Sequence, residues 1–202
     1  MTGQAGARAT ARTVEGRTHA DRTAAVITVS DRGASAQGED RSGSEVAARL
    51  EGLGFTIERI VVPDERHRIE TALVAAASRH PLVVTTGGTG LTPRDVTPQA
   101  TLAVVDYEVP GLAEAMRAEG RRHTPMASLS RAVVGVRGTT LIVNLPGSPK
   151  GAVESLEAVV PVLDHALETL AGPFDHRAHT ERGDRPDLPP SEAAPAARSR
   201  GR

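Results

Sequence analysis

Aliphatic runs alternate with amphipathic stretches through the middle of the chain. The runs predict strands at residues 24–30, 55–62, 82–86 and 140–146. Apolar side chains at helical spacing predict helical segments at residues 42–54, 65–80, 98–105, 111–120 and 150–172. Ser44 and Thr97 are the predicted N-caps of the first and third segments, and Pro161 is expected to kink or interrupt the last. Strands that alternate with helices are typical of a parallel sheet, so the pattern predicts an α/β fold.

The amino-acid composition limits which folds and which classes of binding partner are compatible with the chain. Of the 202 residues, 39% are hydrophobic but only 1% aromatic, so the core is built from Val, Leu, Ile and Ala, which suits a mostly parallel sheet covered by helices. A formal net charge of -1 provides no field that would attract nucleic acid or a membrane surface. The lack of cysteine, and of an apolar run of about 18 residues, predicts a soluble, cytoplasmic protein without a membrane span.

The composition changes at both ends of the chain. Residues 1–23 are small and polar without periodicity, and residues 173–202 are rich in Pro, Arg and Ala. Neither stretch can bury enough apolar surface to offset the entropy lost on ordering. We therefore expect one domain at residues 24–172 between two disordered tails.

Turn-forming and charged residues follow each predicted strand. Because the carboxyl ends of parallel strands meet at one edge of the sheet, where α/β proteins bind ligands, these loops should converge there. The candidate ligand-binding residues in them are Ser30, Asp31, Arg32, Asp64, Thr86, Gly87, Gly88, Thr89, Gly90, Arg94, Asp95, Asn144, Pro146, Gly147, Ser148 and Lys150.

Glycines 87, 88 and 90 suit phosphate, because a backbone without Cβ atoms can present successive N–H groups to an anion. The run is neither a P-loop nor a dinucleotide fingerprint, and a simple turn off the sheet edge is the alternative. Lys150 stands where the last helix begins, which also suits an anion, although a lysine there can equally face solvent. By pattern alone, Ser130 and Arg131 are ordinary surface residues.

Asp64 and Asp95 are expected just past neighbouring strand ends. Two carboxylates beside a phosphate loop are costly unless a cation neutralises them, and Mg²⁺ prefers carboxylate and phosphate oxygens. For Asp64 the alternative is an N-cap of the following helix. Asp95 has no evident local role in the sequence, because Thr97 is the better cap there.

Six motifs, in order along the chain, resemble the MogA/MoaB family of molybdenum-cofactor biosynthesis proteins. They are AVITVSDR, VVPDE, VVTTGGTGLTPRDVTPQAT, PGLAEAMR, SLSRAVVGVRG and LIVNLPGSPKG, and the match as a whole runs from about residue 24 to residue 172. The resemblance implies a Rossmann-like molybdopterin-binding fold and a homotrimer, with hexamers among some close relatives.

The activity that the resemblance implies is Mg²⁺-dependent transfer of AMP from ATP to molybdopterin, which yields adenylylated molybdopterin and pyrophosphate. The family's two key aspartates correspond to Asp64 and Asp95, which act in catalysis and metal binding, and its pterin-site serine corresponds to Ser130. A MoeA-like molybdate insertase would use the product. Two alternatives stay open: a non-catalytic molybdopterin-binding or scaffold protein of the MoaB type, and a pyrophosphatase-like hydrolase.

The composition of the tails yields a first prediction. Deleting residues 1–17 and 180–202 should change the free energy of unfolding by less than about 0.5 kcal/mol, because no packed contacts are expected to be lost. Chemical denaturation of the shortened and full-length chains measures the difference. Loss of activity or of the oligomer on truncation would show that the domain boundaries are misplaced.

Overall fold

The computed structural model describes residues 22–35 and 40–172, apart from the side chain of Arg32. Most of both predicted tails, residues 1–21 and 173–202, lies outside the described residues. The expectation that the tails are disordered therefore stays a prediction.

Six strands in the described part form one mixed sheet in the order β2-β1-β3-β6-β5-β4. The strands are β1 (Thr23–Val29), β2 (Thr56–Val62), β3 (Leu82–Thr86), β4 (Tyr107–Glu108), β5 (Val134–Arg137) and β6 (Thr140–Leu145). β2, β1, β3 and β6 run parallel, whereas β5 and β4 are antiparallel to their neighbours. The four strands predicted from aliphatic runs are confirmed, and β4 and β5 are additions to the prediction.

Helices follow the strands and cover both faces of the sheet. They are α1 (Asp31–Ala34), α2 (Arg41–Glu51), α3 (Arg66–Ala77), α4 (Thr97–Val104), α5 (Pro110–His123) and α6 (Pro149–Ala171), with a 3-10 helix at Pro125–Leu129. α6 continues through Pro161 without interruption. Among these described helices, none combines the length and the apolar character needed to cross a bilayer.

Both predicted helix caps are wrong. Asp40, not Ser44, caps α2, since its Oδ1 accepts the Gly43 N–H at 2.8 Å. α2 therefore starts four residues earlier than the predicted cap allows. Thr97 lies inside α4, and its side chain is used elsewhere, as described below.

The core has two halves, one on each face of the sheet. Because side chains alternate along a strand, Val26 of β1 packs on one face with α2, α5 and α6, whereas Ile27 packs on the other with α3 and α4. Both residues are fully buried, as expected for parallel strands covered on both sides. The carboxyl ends of β1, β2, β3 and β6 therefore share one edge of the sheet.

Candidate active site

The loop after β3 passes over the end of β1 in a path that only glycine allows. Gly87 and Gly88 have φ angles of 96° and 63°, in the left-handed region. A Cβ on Gly87 would lie 2.4 Å from the carbonyl oxygen of Val29. A Cβ on Gly147, in the loop after β6, would lie 3.2 Å from the Cα of Gly87. The loops of β1, β3 and β6 are therefore in close contact.

Thr97 fixes the first half of this glycine loop, residues 87–90. Its Oγ1 donates to the carbonyl oxygen of Gly87 at 2.9 Å, and its N–H donates to that of Gly88 at 3.1 Å. These bonds turn two carbonyl groups toward α4. The fully buried hydroxyl of Thr97 thus holds the loop rather than the helix end, which corrects the capping prediction.

Arg131 fixes the second half of the loop, and the sequence did not identify it. Its backbone N–H donates to Thr89 O at 3.0 Å, and its Nε donates to Gly90 O at 2.7 Å. Its Nη2 donates to the carbonyl oxygen of Asp95. A partly buried guanidinium therefore ties the segment after the 3-10 helix to both ends of the 90–95 loop. The one available sequence signal was an arginine within the otherwise small and apolar stretch 126–136.

Asp31 and Asp64 are joined by reciprocal hydrogen bonds across the ends of β1 and β2. The Asp31 N–H donates to Asp64 Oδ2 at 2.9 Å, and the Asp64 N–H donates to Asp31 Oδ1 at 3.0 Å. Asp31 also forms an ion pair with Arg94 of the glycine-rich segment. Asp64 does not cap α3, because Glu65 occupies the N-cap position there and makes no side-chain capping bond.

Asp95 has a local role that the sequence did not reveal. Its Oδ2 accepts the Thr92 N–H at 2.8 Å and the Thr92 Oγ1–H at 2.6 Å, which closes a tight turn. A Cβ on Gly90 would come within 3.0 Å of the same oxygen. The carboxylate is therefore held against the glycine loop.

The three carboxyl groups differ in pKa. Partial burial raises the pKa of Asp64, and the nearby charges of Asp31 and Asp95 raise it further against the opposing hydrogen bond from Asp31. The Arg94 hydrogen bond lowers the pKa of Asp31, as does the Asp64 N–H. Burial pushes the pKa of Asp95 upward, but the hydrogen bonds from Thr92 and Gly90 and the charge of Arg131 outweigh it and lower the pKa.

The donor set fits a cation that also binds phosphate. Among the described residues, no group of three or more His, Cys, Asp or Glu side chains is arranged to hold a metal ion by itself. Mg²⁺ commonly takes one or two carboxylates and completes its octahedron with phosphate oxygens and water. The charge of Asp95 contributes to the raised pKa of Asp64, and these two carboxylates are the candidates for such a pair.

An apolar cavity of about 400 Å³ adjoins the glycine loop. Thr89 and Gly90 form its wall on the loop side, and Pro146 and Ser148 border it at the start of α6. The remaining walls come from α5, α6 and the 3-10 helix, and Ser130 lies on its surface. The Oγ of Ser130 accepts the Ala132 N–H at 3.3 Å, which leaves the hydroxyl proton available to a ligand.

Other predicted site residues lie at the same edge in different environments. Ser30 caps α1 by accepting the Gly33 N–H at 3.2 Å. Lys150 projects into solvent in the first turn of α6, with its Nζ 3.7 Å from Glu154 Oε1. The side chain of Arg32 lies outside the described residues.

Two predicted ligand residues are buried in the core. Asn144 is fully buried, and its Nδ2 donates to Thr85 Oγ1 at 3.0 Å and Thr101 Oγ1 at 2.9 Å. Its Oδ1 accepts the Val133 N–H at 3.3 Å, so the amide is occupied by β3, α4 and the segment before β5. Thr86 is also fully buried, with its hydroxyl 3.1 Å from that of Ser42. Their side chains serve to hold strands and helices together.

The chain is similar to proteins of molybdenum-cofactor biosynthesis. A family model described as "Probable molybdopterin binding domain" matches residues 25–165. The molybdopterin adenylyltransferase of Helicobacter pylori strain J99 is 41% identical over 156 residues, which cover 74% of this chain and 88% of that protein.

Two solved structures extend the similarity to the fold. The molybdopterin biosynthesis enzyme MoaB of Thermus thermophilus is 51% identical, with a TM-score of 0.70 over 76% of this chain and 99% of that one. The molybdopterin biosynthesis Mog protein of Mycobacterium ulcerans is 44% identical, with a TM-score of 0.71 over 74% of this chain and 99% of that one.

The contacts of Arg131 predict a large effect on stability. Arg131→Met should lower the free energy of unfolding by about 2 kcal/mol, because carbonyl groups lose hydrogen bonds from a charged donor. Urea denaturation measures the change, with Arg121→Met on the exposed face of α5 as the matched control. A loss no larger than that of the control would mean that Arg131 does not hold the loop.

Proposed function

Since this chain belongs to the family of molybdopterin-binding domains that includes MogA and MoaB, we propose that it is a molybdopterin adenylyltransferase of molybdenum-cofactor biosynthesis. A phosphate oxygen of molybdopterin attacks the α-phosphorus of ATP, a new P–O bond forms, and pyrophosphate leaves with the electron pair of the broken bond. The observation that carries the proposal is the glycine loop beside an apolar cavity, in a chain 41% identical to a named adenylyltransferase.

The glycine loop and its neighbours would position the phosphates of ATP. Bare backbone at residues 87–90 can approach an anion closely, and the amino-terminal end of α6 lies beside it. Lys150 and Arg94 are both exposed, and either would be available to bind phosphate oxygens. Phosphoryl transfer depends mainly on such positioning and on charge neutralisation, because the attacking phosphate is already an anion.

Asp64 and Asp95 would hold Mg²⁺. When bound, the ion would neutralise phosphate charge and draw electron density from the phosphorus. The environments of the two carboxylates suit this role. The raised pKa of Asp64 reflects partial burial next to other acids, which a cation would relieve, and the hydrogen bonds from Thr92 keep the carboxylate of Asp95 ionised and oriented.

Molybdopterin would occupy the apolar cavity, with its phosphate near Ser130. The free proton of the Ser130 hydroxyl can donate to a phosphate oxygen, and Thr89 and Gly90 separate this point from the ATP side of the loop. The flat ring system would then extend along α5 and α6, away from the charged edge.

The wider assignments belong to the same proposal. The functional domain comprises residues 24–172, works in the cytoplasm as a homotrimer or a hexamer, and passes its product to a MoeA-like insertase. The scaffold alternative is not favoured, because similar proteins are named as adenylyltransferases.

The direct test of the proposed activity incubates the purified protein with molybdopterin, ATP and Mg²⁺. Adenylylated pterin and pyrophosphate are expected, whereas binding without turnover indicates a scaffold and ATP cleavage without pterin indicates a hydrolase.

Asparagine at the two aspartates should separate metal binding from structural roles. Asp64→Asn and Asp95→Asn should each lower adenylylation by a hundredfold or more, roughly the loss of several kcal/mol of transition-state stabilisation. The measurement is adenylylated pterin formed per minute at saturating ATP over a Mg²⁺ titration. If both variants keep parental turnover at every Mg²⁺ concentration, the active site lies elsewhere.

Thermal melts of the same variants provide the structural control. The two substitutions are expected to change stability in different directions. The pKa of Asp64 is raised on folding, so its charged form weakens the fold above that pKa, and Asp64→Asn should melt at or slightly above the parental temperature. The pKa of Asp95 is lowered, so its charge stabilises the fold at neutral pH. That contribution is lost as the pH falls through the folded pKa. Asp95→Asn should cost about 1 kcal/mol.

The Ser130 hydroxyl has its own test. Ser130→Ala should slow turnover about tenfold or more while the melting temperature stays within experimental error, because the partly exposed hydroxyl makes one long hydrogen bond within the protein. Initial rates over a molybdopterin series at fixed ATP measure the effect. Parental kcat and KM in this variant would remove Ser130 from the reacting groups.

A further inference from the structure

One carboxylate, that of Glu154, lines the apolar cavity. Glu154 lies five residues after the start of α6 at Pro149. With a rise of about 1.5 Å per residue, it stands roughly 7–8 Å along the axis from the helix start, where the glycine loop lies. The carboxylate is therefore set back along α6 from the glycine loop.

The contacts of Glu154 leave its oxygens without short donors from its two basic neighbours. His123 Nδ1 lies 3.5 Å and Lys150 Nζ 3.7 Å from Glu154 Oε1, both beyond the usual hydrogen-bond range of about 3.2 Å. The side chain is only 20% exposed. A carboxylate largely removed from water is costly unless it accepts hydrogen bonds, so this group is suited to a ligand that supplies donors.

The walls of the cavity suit a flat ring. Met116 and Met126 line the cavity, and thioether sulfur makes favourable contacts with aromatic rings. Among the described residues that line it, none is aromatic, so the flat surface has to come from the ligand. Gly120 packs so closely on the 3-10 helix that a Cβ added there would lie 2.7 Å from the Cβ of Ala127. At this point of the cavity wall there is therefore no room for a side chain.

We propose that Glu154 is a specificity-determining residue that recognises the 2-amino-4-oxo edge of the pterin. That edge presents two adjacent N–H donors, N3–H and the 2-amino group, and a carboxylate offers two acceptor oxygens. The assignment rests on the proposed function, which places molybdopterin in this cavity. The phosphate of the ligand then points toward Ser130 and its ring edge toward Glu154.

The inference predicts a reversal of preference on a single substitution. Lumazine, the 2,4-dioxo analogue, keeps N3–H but has an acceptor in place of the 2-amino donor. A carboxylate repels that acceptor, whereas the amide of Glu154→Gln offers one acceptor and one donor and matches it. The parent should therefore bind pterin at least tenfold more tightly than lumazine, and Glu154→Gln should lose or invert that ratio.

Fluorescence titration of pterin and lumazine against each protein measures the ratio without any turnover. Glu168→Gln, an exposed glutamate on the same helix, is the matched control, and His123→Gln removes the neighbouring imidazole while keeping the carboxylate of Glu154. Both controls should keep the parental preference. Equal or undetectable binding of the two compounds by the parent, or an unchanged ratio in Glu154→Gln, overturns the assignment. GMP carries the same ring edge, so tighter binding of GMP than of pterin would assign the cavity to guanine nucleotides instead.

Steady-state kinetics distinguish failure of this inference from failure of the proposed function. Glu154→Gln should raise the KM for molybdopterin about tenfold and leave the KM for ATP unchanged. A parent that turns over with an unchanged molybdopterin KM in the variant contradicts the role of Glu154 alone. If the unsubstituted protein forms no adenylylated pterin, the proposed function is contradicted. The titrations then still decide whether Glu154 binds the 2-amino-4-oxo edge of the pterin.

Discussion

The site depends on how closely the backbone after β3 approaches the end of β1. Gly87 and Gly88 have positive φ angles, and the space where their Cβ atoms would stand is already filled by Val29 O and Thr97 Oγ1, at 2.4 and 2.3 Å. Conformation and space are independent requirements, and glycine meets both. This close passage brings the 89–95 segment to the loops of β1 and β6. A side chain there would push Asp95 away from Asp64 and open the wall of the cavity.

Electrostatics at this edge are unbalanced in a way that suits phosphate chemistry. Asp31 is neutralised by Arg94, and Asp95 is held by donors from Thr92. Asp64 has the least compensation, since its hydrogen bond from the Asp31 N–H does not offset burial and the neighbouring acids, and its pKa is raised. A cation would remove that cost, and triphosphate would in turn complete the coordination that two carboxylates leave open. Under the proposed function, each of the three components is stabilised by the other two.

The sequence predicted the parallel part of the fold and the edge where the site lies. Aliphatic runs marked β1, β3 and β6, because strands buried on both faces show little alternation. The run that marked β2 belongs to a partly exposed edge strand. It could not predict β4, which has two residues. It also could not predict the buried amide of Asn144, because an asparagine at the end of a strand looks the same whether it faces a ligand or the core. The helix-cap errors have the same origin. Asp40 and Ser44 are equally good caps locally, and packing against β1 selects between them.

Arg131 and the cavity depended on tertiary contacts that no local pattern encodes. The guanidinium reaches carbonyl groups about 40 residues earlier in the chain, so in the sequence it resembled a surface arginine. Its position has a consequence for the proposed reaction. Ser130, on the cavity surface, is adjacent in sequence to the residue that binds the Asp95 backbone. Under the proposed function, the pterin-phosphate side and the metal side of the site would therefore be held by one short segment. Holding two reacting groups in a fixed relation can contribute roughly 7–11 kcal/mol to a bimolecular reaction, which suits an enzyme with no covalent nucleophile.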